Sequence, residues 1–326
     1  MSAPSLVITC GDVNGIGLRC LAAAVEQAPL HAELTLLIDA DTLQQAIDEY
    51  GLPGEIESDV WRISGTSIRL HSIHAPAQLA PGVERDDAAR AAIASLEAAC
   101  NLVTSGAARA MVTLPISKHA LRRVGWPYPG QTEMIADHAG AEPLMVLCTR
   151  TLHVALATIH VPIHRVAGLI TSERIAQRIT ALHEHLRMRI GIDEPRIAVL
   201  GLNPHAGEHG EIGSEDDEII RPAIEQCRIA GLHVSGPYPA DGFFGFGAYE
   251  KFDGVLAMYH DQGLIPLKLL AKGAGVNVTA SLPVIRTSPD HGTAYDRIRS
   301  AEIDSASTRL AMEMAIEMAN RPHGLT

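Results

Sequence analysis

Leu6-Val-Ile-Thr-Cys-Gly-Asp-Val-Asn-Gly-Ile-Gly17 begins as a short apolar run, breaks at glycines flanking Asp12, and leads into the Ala- and Leu-rich stretch Gly17 to Gln27. An apolar run without alternation reads as a strand buried on both faces. The stretch after the glycines carries a helical period. A second apolar run, Leu34-Thr-Leu-Leu-Ile38, follows, so the opening spells strand, turn, helix, strand. The rhythm then repeats. Asp86 to Val103 predicts a long helix, with Asp86 or Asp87 placed to cap its first turn. Ala110 to Thr113, Val154 to Ile159, Ile197 to Gly201 and Gly254 to Met258 predict strands, each followed by a polar or glycine-bearing turn. Ser305 to Asn320 predicts a closing helix, with Met312, Met314 and Met318 filling the core. Alternation of this kind predicts an α/β architecture with mostly parallel sheets.

At about 150 residues per domain, the 326 residues predict two domains. The turn-rich Gly125-Trp-Pro-Tyr-Pro-Gly130 marks a boundary between them. Lys+Arg 26 against Asp+Glu 38 leaves a net charge of −12, which argues against a nucleic-acid surface. No apolar run approaches the ~20 residues of a membrane span, and Met1 to Cys10 has no basic n-region, so neither a membrane anchor nor a secretory signal is expected. Five scattered cysteines without C-x-x-C spacing point to a reducing, cytoplasmic setting, and away from disulfides or a cysteine zinc site. No G-x-S-x-G elbow or Walker A loop is present.

The sixteen histidines sort by context. His160, His205 and His260 each follow a predicted strand, and ligands of open α/β sheets bind outside the carboxyl ends of strands. Three imidazoles delivered to one sheet edge suit a divalent transition metal with an open coordination position. Asp261 and Gln262, directly after His260, are placed to support it or to accept a proton. Lys268, Asn277 and Arg286, with Gly273 and Gly275 among them, combine a point charge, an amide and a planar fork, a set suited to phosphate or carboxylate. The glycines of Gly11 to Gly17 would let backbone approach a ligand at a helix start. Gly242-Phe-Phe-Gly245-Phe-Gly247 reads as a flexible loop with aromatic packing. Glu215 to Glu218, after Ser214, read as helix capping and dipole stabilisation.

Longer strings then carry a likeness: Gly-Asp-x-x-Gly-Ile-Gly from Gly11, Pro115-Ile-Ser-Lys118, Gly130-Gln-Thr-Glu133, Gly201-Leu-Asn-Pro-His-Ala-Gly-Glu208, Gly236-Pro-Tyr-Pro-Ala-Asp241, Tyr259-His-Asp-Gln-Gly263 and Arg286-Thr-Ser-Pro-Asp-His-Gly292. From Gly11 to about Asp296 the chain resembles the PdxA family, the 4-hydroxythreonine-4-phosphate dehydrogenases of pyridoxal phosphate biosynthesis. The resemblance implies two α/β/α domains around a central cleft, like the isocitrate and isopropylmalate dehydrogenases. Residues 1–125 plus about 280–326 would form the first domain. About 126–279 would form the second, with most of the metal and substrate ligands. It implies a homodimer whose active site draws on both subunits, a nicotinamide cofactor (NAD or NADP), and one divalent metal per subunit (zinc, magnesium or cobalt) held by His160, His205 and His260. Substrate binding falls on Thr132, Lys268, Asn277 and Arg286.

Three departures stand out. The family usually has histidine where this chain has Gln131, an acidic residue at Arg19, and threonine at Gly242. An amide can hydrogen-bond a substrate but carries no positive charge. The implied reaction is oxidation of 4-phosphohydroxy-L-threonine to 2-amino-3-oxo-4-phosphobutanoate, which decarboxylates to 3-amino-2-oxopropyl phosphate. Asp241, Asp261 and Lys118 are the candidate bases. The rival reading is a paralogous metal-dependent dehydrogenase of another phosphorylated hydroxy acid or of a dihydrodiol carboxylate. An acyl-phosphate-forming transferase or a non-catalytic binding protein has no need of three strand-end histidines.

Overall fold

The structure, a computed structural model, describes residues 3–321. It divides into two compact units: residues 3–143 together with residues 282–321, and Leu144–Ser281. The first crossing lies between Pro143 and Leu144, not at the Pro/Gly-rich turn near residue 125. The reason is the helix after that turn, whose Met134, Ile135 and Ala136 are buried in one core cluster with Leu96, Cys100 and Leu121. Trp126 and Tyr128, inside the turn, pack edge to face with ring centroids 5.5 Å apart against the same cluster. Gln131 and Thr132 therefore belong to the first unit rather than the second.

In the first unit the strands are β1 (Ser5–Thr9), β2 (Glu33–Leu37), β3 (Glu55–Glu57), β4 (Val60–Ile63), β5 (Thr66–His71) and β6 (Ala110–Val112), with β13 (Ile285–Pro289) from the returning chain. The second unit holds β7 (Leu144–Cys148), β8 (His153–Leu156), β9 (Ile197–Leu200), β10 (Val234–Tyr238), β11 (Gly254–Ala257) and β12 (Val276–Ala280). Strands of the first unit lie in the order β13-β6-β1-β2-β5-β4-β3. Its pairs from β13 to β5 are parallel, and β4 and β3 add an antiparallel margin. Leu6 and Ile8 of β1 and Ala110, Met111 and Val112 of β6 have no exposure, which explains the unbroken apolar runs.

The helices of the first unit are α1 (Gly17–Gln27), α2 (Ala40–Tyr50), α3 (Asp86–Thr104), α4 (Lys118–Arg123) and α5 (Gln131–Ala139). The second unit contains α6 (Ile163–Val166), α7 (Ser172–His185), α8 (Arg221–Ile229), α9 (Ala240–Gly245) and α10 (His260–Ala271), and α11 (Ala306–Ala319) closes the first. Met312, Met314 and Met318 of α11 are buried. Helix α3 is capped differently from expectation. Arg85 is the N-cap, and Asp86 and Asp87 stand inside the first turn. Asp87 binds Arg85 and the Gln78 N–H, and its Oδ1 also accepts from the first-turn Ala88 N–H at 3.0 Å. Both carboxylates still complement the positive end of the helix dipole.

The second unit is ordered β10-β9-β11-β8-β7-β12. The first four strands are mutually parallel, so their carboxyl ends share one edge. Two close helix contacts explain two glycines. A Cβ on Gly254 would stand 2.7 Å from a Leu186 methyl, beside α7, and one on Gly263 of α10 would stand 2.8 Å from Val154. The Gly263 site also faces Ala257. Gly254 and Ala257 lie on opposite faces of β11, so α7 and α10 cover both sides of this sheet. Fully burying one of its Val, Leu or Ile side chains stabilises the unit by about 1.5–3 kcal/mol.

Candidate active site

At the shared edge of the second unit, β9, β11 and β8 are neighbours in that order. His205, His260 and His160 each follow one of these carboxyl ends. The rings of His160 and His260 lie 5.7 Å apart, centroid to centroid. Both line a cavity of about 370 Å³, together with Thr158, Tyr259 and Asp261. His260 opens α10, and its Nδ1 lies 2.7 Å from the Asp261 carboxylate. A carboxylate only accepts, so Nδ1 carries the proton and Nε2 keeps its lone pair for a metal.

Backbone conformation sets these turns apart. His160 has a φ of 45°, and His205, Ala206, Gly207, Glu208 and His209 form an unbroken left-handed run. For residues with a Cβ each such conformation costs of order 1 kcal/mol, and strain of this kind concentrates at functional sites. Gln262 joins two of the turns. Its Oε1 accepts from the Met258 N–H at 2.7 Å, and its Nε2 donates to the Gly201 carbonyl at 2.6 Å. Asp216, expected to cap its own helix, has no exposure and turns its carboxylate toward the 201–203 turn. Asp241 is exposed in the first turn of α9, beyond the end of β10.

In the first unit, Arg286 on β13 is 3% exposed. Its Nε donates to Thr113 Oγ1 at 2.9 Å and its guanidinium to Thr132 Oγ1 at 3.3 Å. Burial pushes its pKa down to about 10, which leaves it cationic at neutral pH. Gln131 opens α5 and is buried. Its Nε2 donates to the Leu114 carbonyl at 3.0 Å, and its Oε1 has no partner. Lys118 opens α4, whose N-cap Ser117 accepts from the Ala120 N–H and donates to Glu84. Hydrogen bonds from Ser117 and His119 hold the Glu84 carboxyl below its usual range. The Lys118 Nζ would stand 3.6 Å from a Cβ on Gly130.

The set Lys268, Asn277 and Arg286 is divided. Arg286 lies in the first unit, whereas Lys268, exposed on α10, and Asn277, on β12, lie in the second. The Asn277 Oδ1 is buried without a partner. The opening glycines lie close against the chain's own backbone. A Cβ on Gly11 would stand 2.5 Å from the Pro115 carbonyl oxygen and one on Gly15 2.8 Å from that of Thr293. The segment at 242–247 is mostly helix α9 rather than a loop. Phe243 packs there against Tyr238, Phe244 and Phe252, and Phe246 alone among these is almost fully exposed. Sequence patterning missed Thr113, whose only signal is its place at the end of β6, before Pro115-Ile-Ser-Lys118.

The donors suit a divalent ion in kind: imidazoles at three adjacent strand ends, one with its tautomer set by a carboxylate and two on one cavity. Among the described residues no three His, Cys, Asp or Glu side chains already stand close enough to hold an ion. His205 thus stays outside the His160–His260 pair. No described helix is long and apolar enough to cross a membrane.

Parallel strand ends bearing imidazoles in one unit, and a buried guanidinium held by threonine hydroxyls in the other, are the candidate site features of this α/β fold. Residues 30–315 match the family described as pyridoxal phosphate biosynthetic protein PdxA. A 4-hydroxythreonine-4-phosphate dehydrogenase of Thioalkalivibrio sulfidiphilus is 40% identical over 332 residues, covering 99% of both chains. The crystal structure of 4-hydroxythreonine-4-phosphate dehydrogenase from Klebsiella pneumoniae superposes with a TM-score of 0.85 at 34% identity, over 98% of this chain and 99% of that one. A terephthalate 1,2-cis-dihydrodiol dehydrogenase from Burkholderia xenovorans reaches 0.64 at 26% identity, over 95% and 98%. The chain belongs to the PdxA family. It is an oxidoreductase acting on a CH–OH group.

Proposed function

We propose that the chain oxidises 4-phosphohydroxy-L-threonine with NAD or NADP, giving 2-amino-3-oxo-4-phosphobutanoate, which loses CO₂ to form 3-amino-2-oxopropyl phosphate. The observation that carries the substrate class is Arg286, a buried cation whose guanidinium is oriented by Thr113 and Thr132. Such a fork binds a phosphate through charge-assisted hydrogen bonds. Lys268, on α10, is the second unit's candidate cation for the substrate. Gln131 keeps its Oε1 for a donor, such as the substrate ammonium or hydroxyl, because its Nε2 is spent on Leu114. The orphan Oδ1 of Asn277 offers a second acceptor.

His160, His205 and His260 would hold one divalent ion, zinc, magnesium or cobalt. When bound, that ion supplies Lewis acidity toward the substrate hydroxyl and, after oxidation, its carbonyl oxygen. Asp261 orients His260, which leaves Asp241 and Lys118 as the bases for the hydroxyl proton, Lys118 only in its neutral form. A bound nicotinamide would accept the carbinol hydrogen as hydride, and the protein's own task is to fix the donor carbon. The exposed Ile265, Leu269 and Leu270 on α10, the helix that begins with His260, support a homodimer that covers this face. The five free, buried cysteines suit a reducing cytoplasm.

The test is formation of reduced nicotinamide from 4-phosphohydroxy-L-threonine, with a chelator and with added divalent metals. The expected result is turnover that the chelator abolishes and metal restores. Turnover of a dihydrodiol carboxylate instead, with none of the phosphorylated substrate, would overturn the assignment. The higher identity and TM-score of the 4-hydroxythreonine-4-phosphate dehydrogenase structure, against those of the dihydrodiol dehydrogenase, favour the first result.

A further inference from the structure

Asp216 lies on none of the strands that deliver the histidines. It begins the irregular helical turn Asp216–Ile220 that leads into α8, and it has no exposure. Its Oδ1 accepts from the Leu202 N–H at 2.8 Å. Its Oδ2 accepts from the Asn203 N–H and from Asn203 Nδ2, each at 3.0 Å. The Asn203 amide also donates to Glu215 at 2.8 Å. A Cβ on Gly201 would stand 2.8 Å from the Asp216 carboxylate, so the turn is wrapped closely around it. Two residues beyond Asn203 comes His205, at the start of the left-handed run.

The same turn is tied to its neighbours. Gln262 links the Gly201 carbonyl to the Met258 N–H, at the end of β11. Thr158 at the end of β8, two residues before His160, donates its hydroxyl to the Met258 carbonyl at 2.7 Å. One chain of hydrogen bonds therefore runs beneath all three strand-end histidines, and its terminal anchor at the His205 side is a buried carboxylate. A carboxylate accepting from two backbone N–H groups fixes the direction of a turn more firmly than a neutral acceptor does.

We infer that Asp216 is a positioning residue: it sets the turn that presents His205, the histidine outside the His160–His260 pair, to the metal those two would share. The inference rests on the histidine reading of the metal site. Partners behind ligands are typically worth about 10–100-fold in metal affinity.

The test is a double-mutant cycle on the full chain, read as equilibrium binding of Co²⁺ and as thermal unfolding of the metal-free protein. The variants are Asp216→Asn, His205→Ala and both together, with Ile224→Ala as a core-weakened control. Ile224 is buried on α8 and is not among the hydrogen-bond partners of the 201–203 turn. Asp216→Asn is expected to weaken Co²⁺ binding by about 10–100-fold, while the control loses thermal stability and keeps its affinity. The double variant should bind no more weakly than His205→Ala alone, because a mispositioned ligand and a missing one are the same loss. Additive losses, or full affinity in Asp216→Asn, would overturn the positioning role and leave the histidine assignment standing. Full affinity in His205→Ala would remove both.

Discussion

Arg286 shows how much of a residue's role comes from its surroundings. As a sequence feature it is one arginine after a β-branched pair. In the structure it is a buried fork between Thr113 and Thr132, still cationic although burial pulls its pKa to about 10. A charge-assisted hydrogen bond is worth about 1.5–3 kcal/mol, so Arg286→Ala should raise KM for the phosphorylated substrate about 10–100-fold. Steady-state kinetics with each substrate varied in turn check this, and the KM for the nicotinamide should move little. Equal rises in both would assign Arg286 to another task. His160, His205, His260 and Arg286 were legible as candidates because motif and strand position mark them. Asp216 and Thr113 were not. An acidic residue after Ser214 satisfies the local rule for a helix start, and only the folded chain shows that its acceptors are spent on a turn thirteen residues earlier.

Elements were legible where an apolar period runs unbroken. Helix α1 falls on Gly17–Gln27, and β8, β9 and β11 lie within or beside the runs that announce them. Turn composition misled at 125–130, because a Pro/Gly cluster marks a change of direction and not what the next helix packs against. At this scale one further property is built in. His153 on β8 and His185 at the end of α7 are both buried, with rings 6.3 Å apart. The His153 Nδ1 lies 3.1 Å from the Cys148 thiol. Burial pushes the pKa of His153 down to about 4 and that of His185 to about 3. Both folded values lie below the unfolded value, so the unfolded chain takes up protons first as pH falls. Their contribution to stability is complete above about pH 6.5 and is lost progressively as the pH falls toward about pH 3. Urea midpoints across that window should fall, and His185→Leu should make the fall shallower. An unchanged slope in that variant would show that other groups drive acid unfolding.

Across the whole molecule, the α/β alternation and the PdxA strings pointed to the same fold and family that the structure and its relatives display. The molecule then divides its labour. The unit built on Leu144–Ser281 gathers imidazoles at the ends of β8, β11 and β9, and the other holds Arg286, Thr132 and Gln131. What patterning could not supply is the state of the imidazole set: two rings already share a cavity, while His205 stands on a strained turn beside them. These three histidines are proposed to hold one divalent ion together. The most direct measurement is zinc retained per chain after loading and desalting, in the wild type and in His160→Ala, His205→Ala and His260→Ala. About one equivalent is expected in the wild type, with a loss of most of it in each variant, since a catalytic site with three protein ligands cannot spare one. Undiminished zinc in all three variants would contradict it.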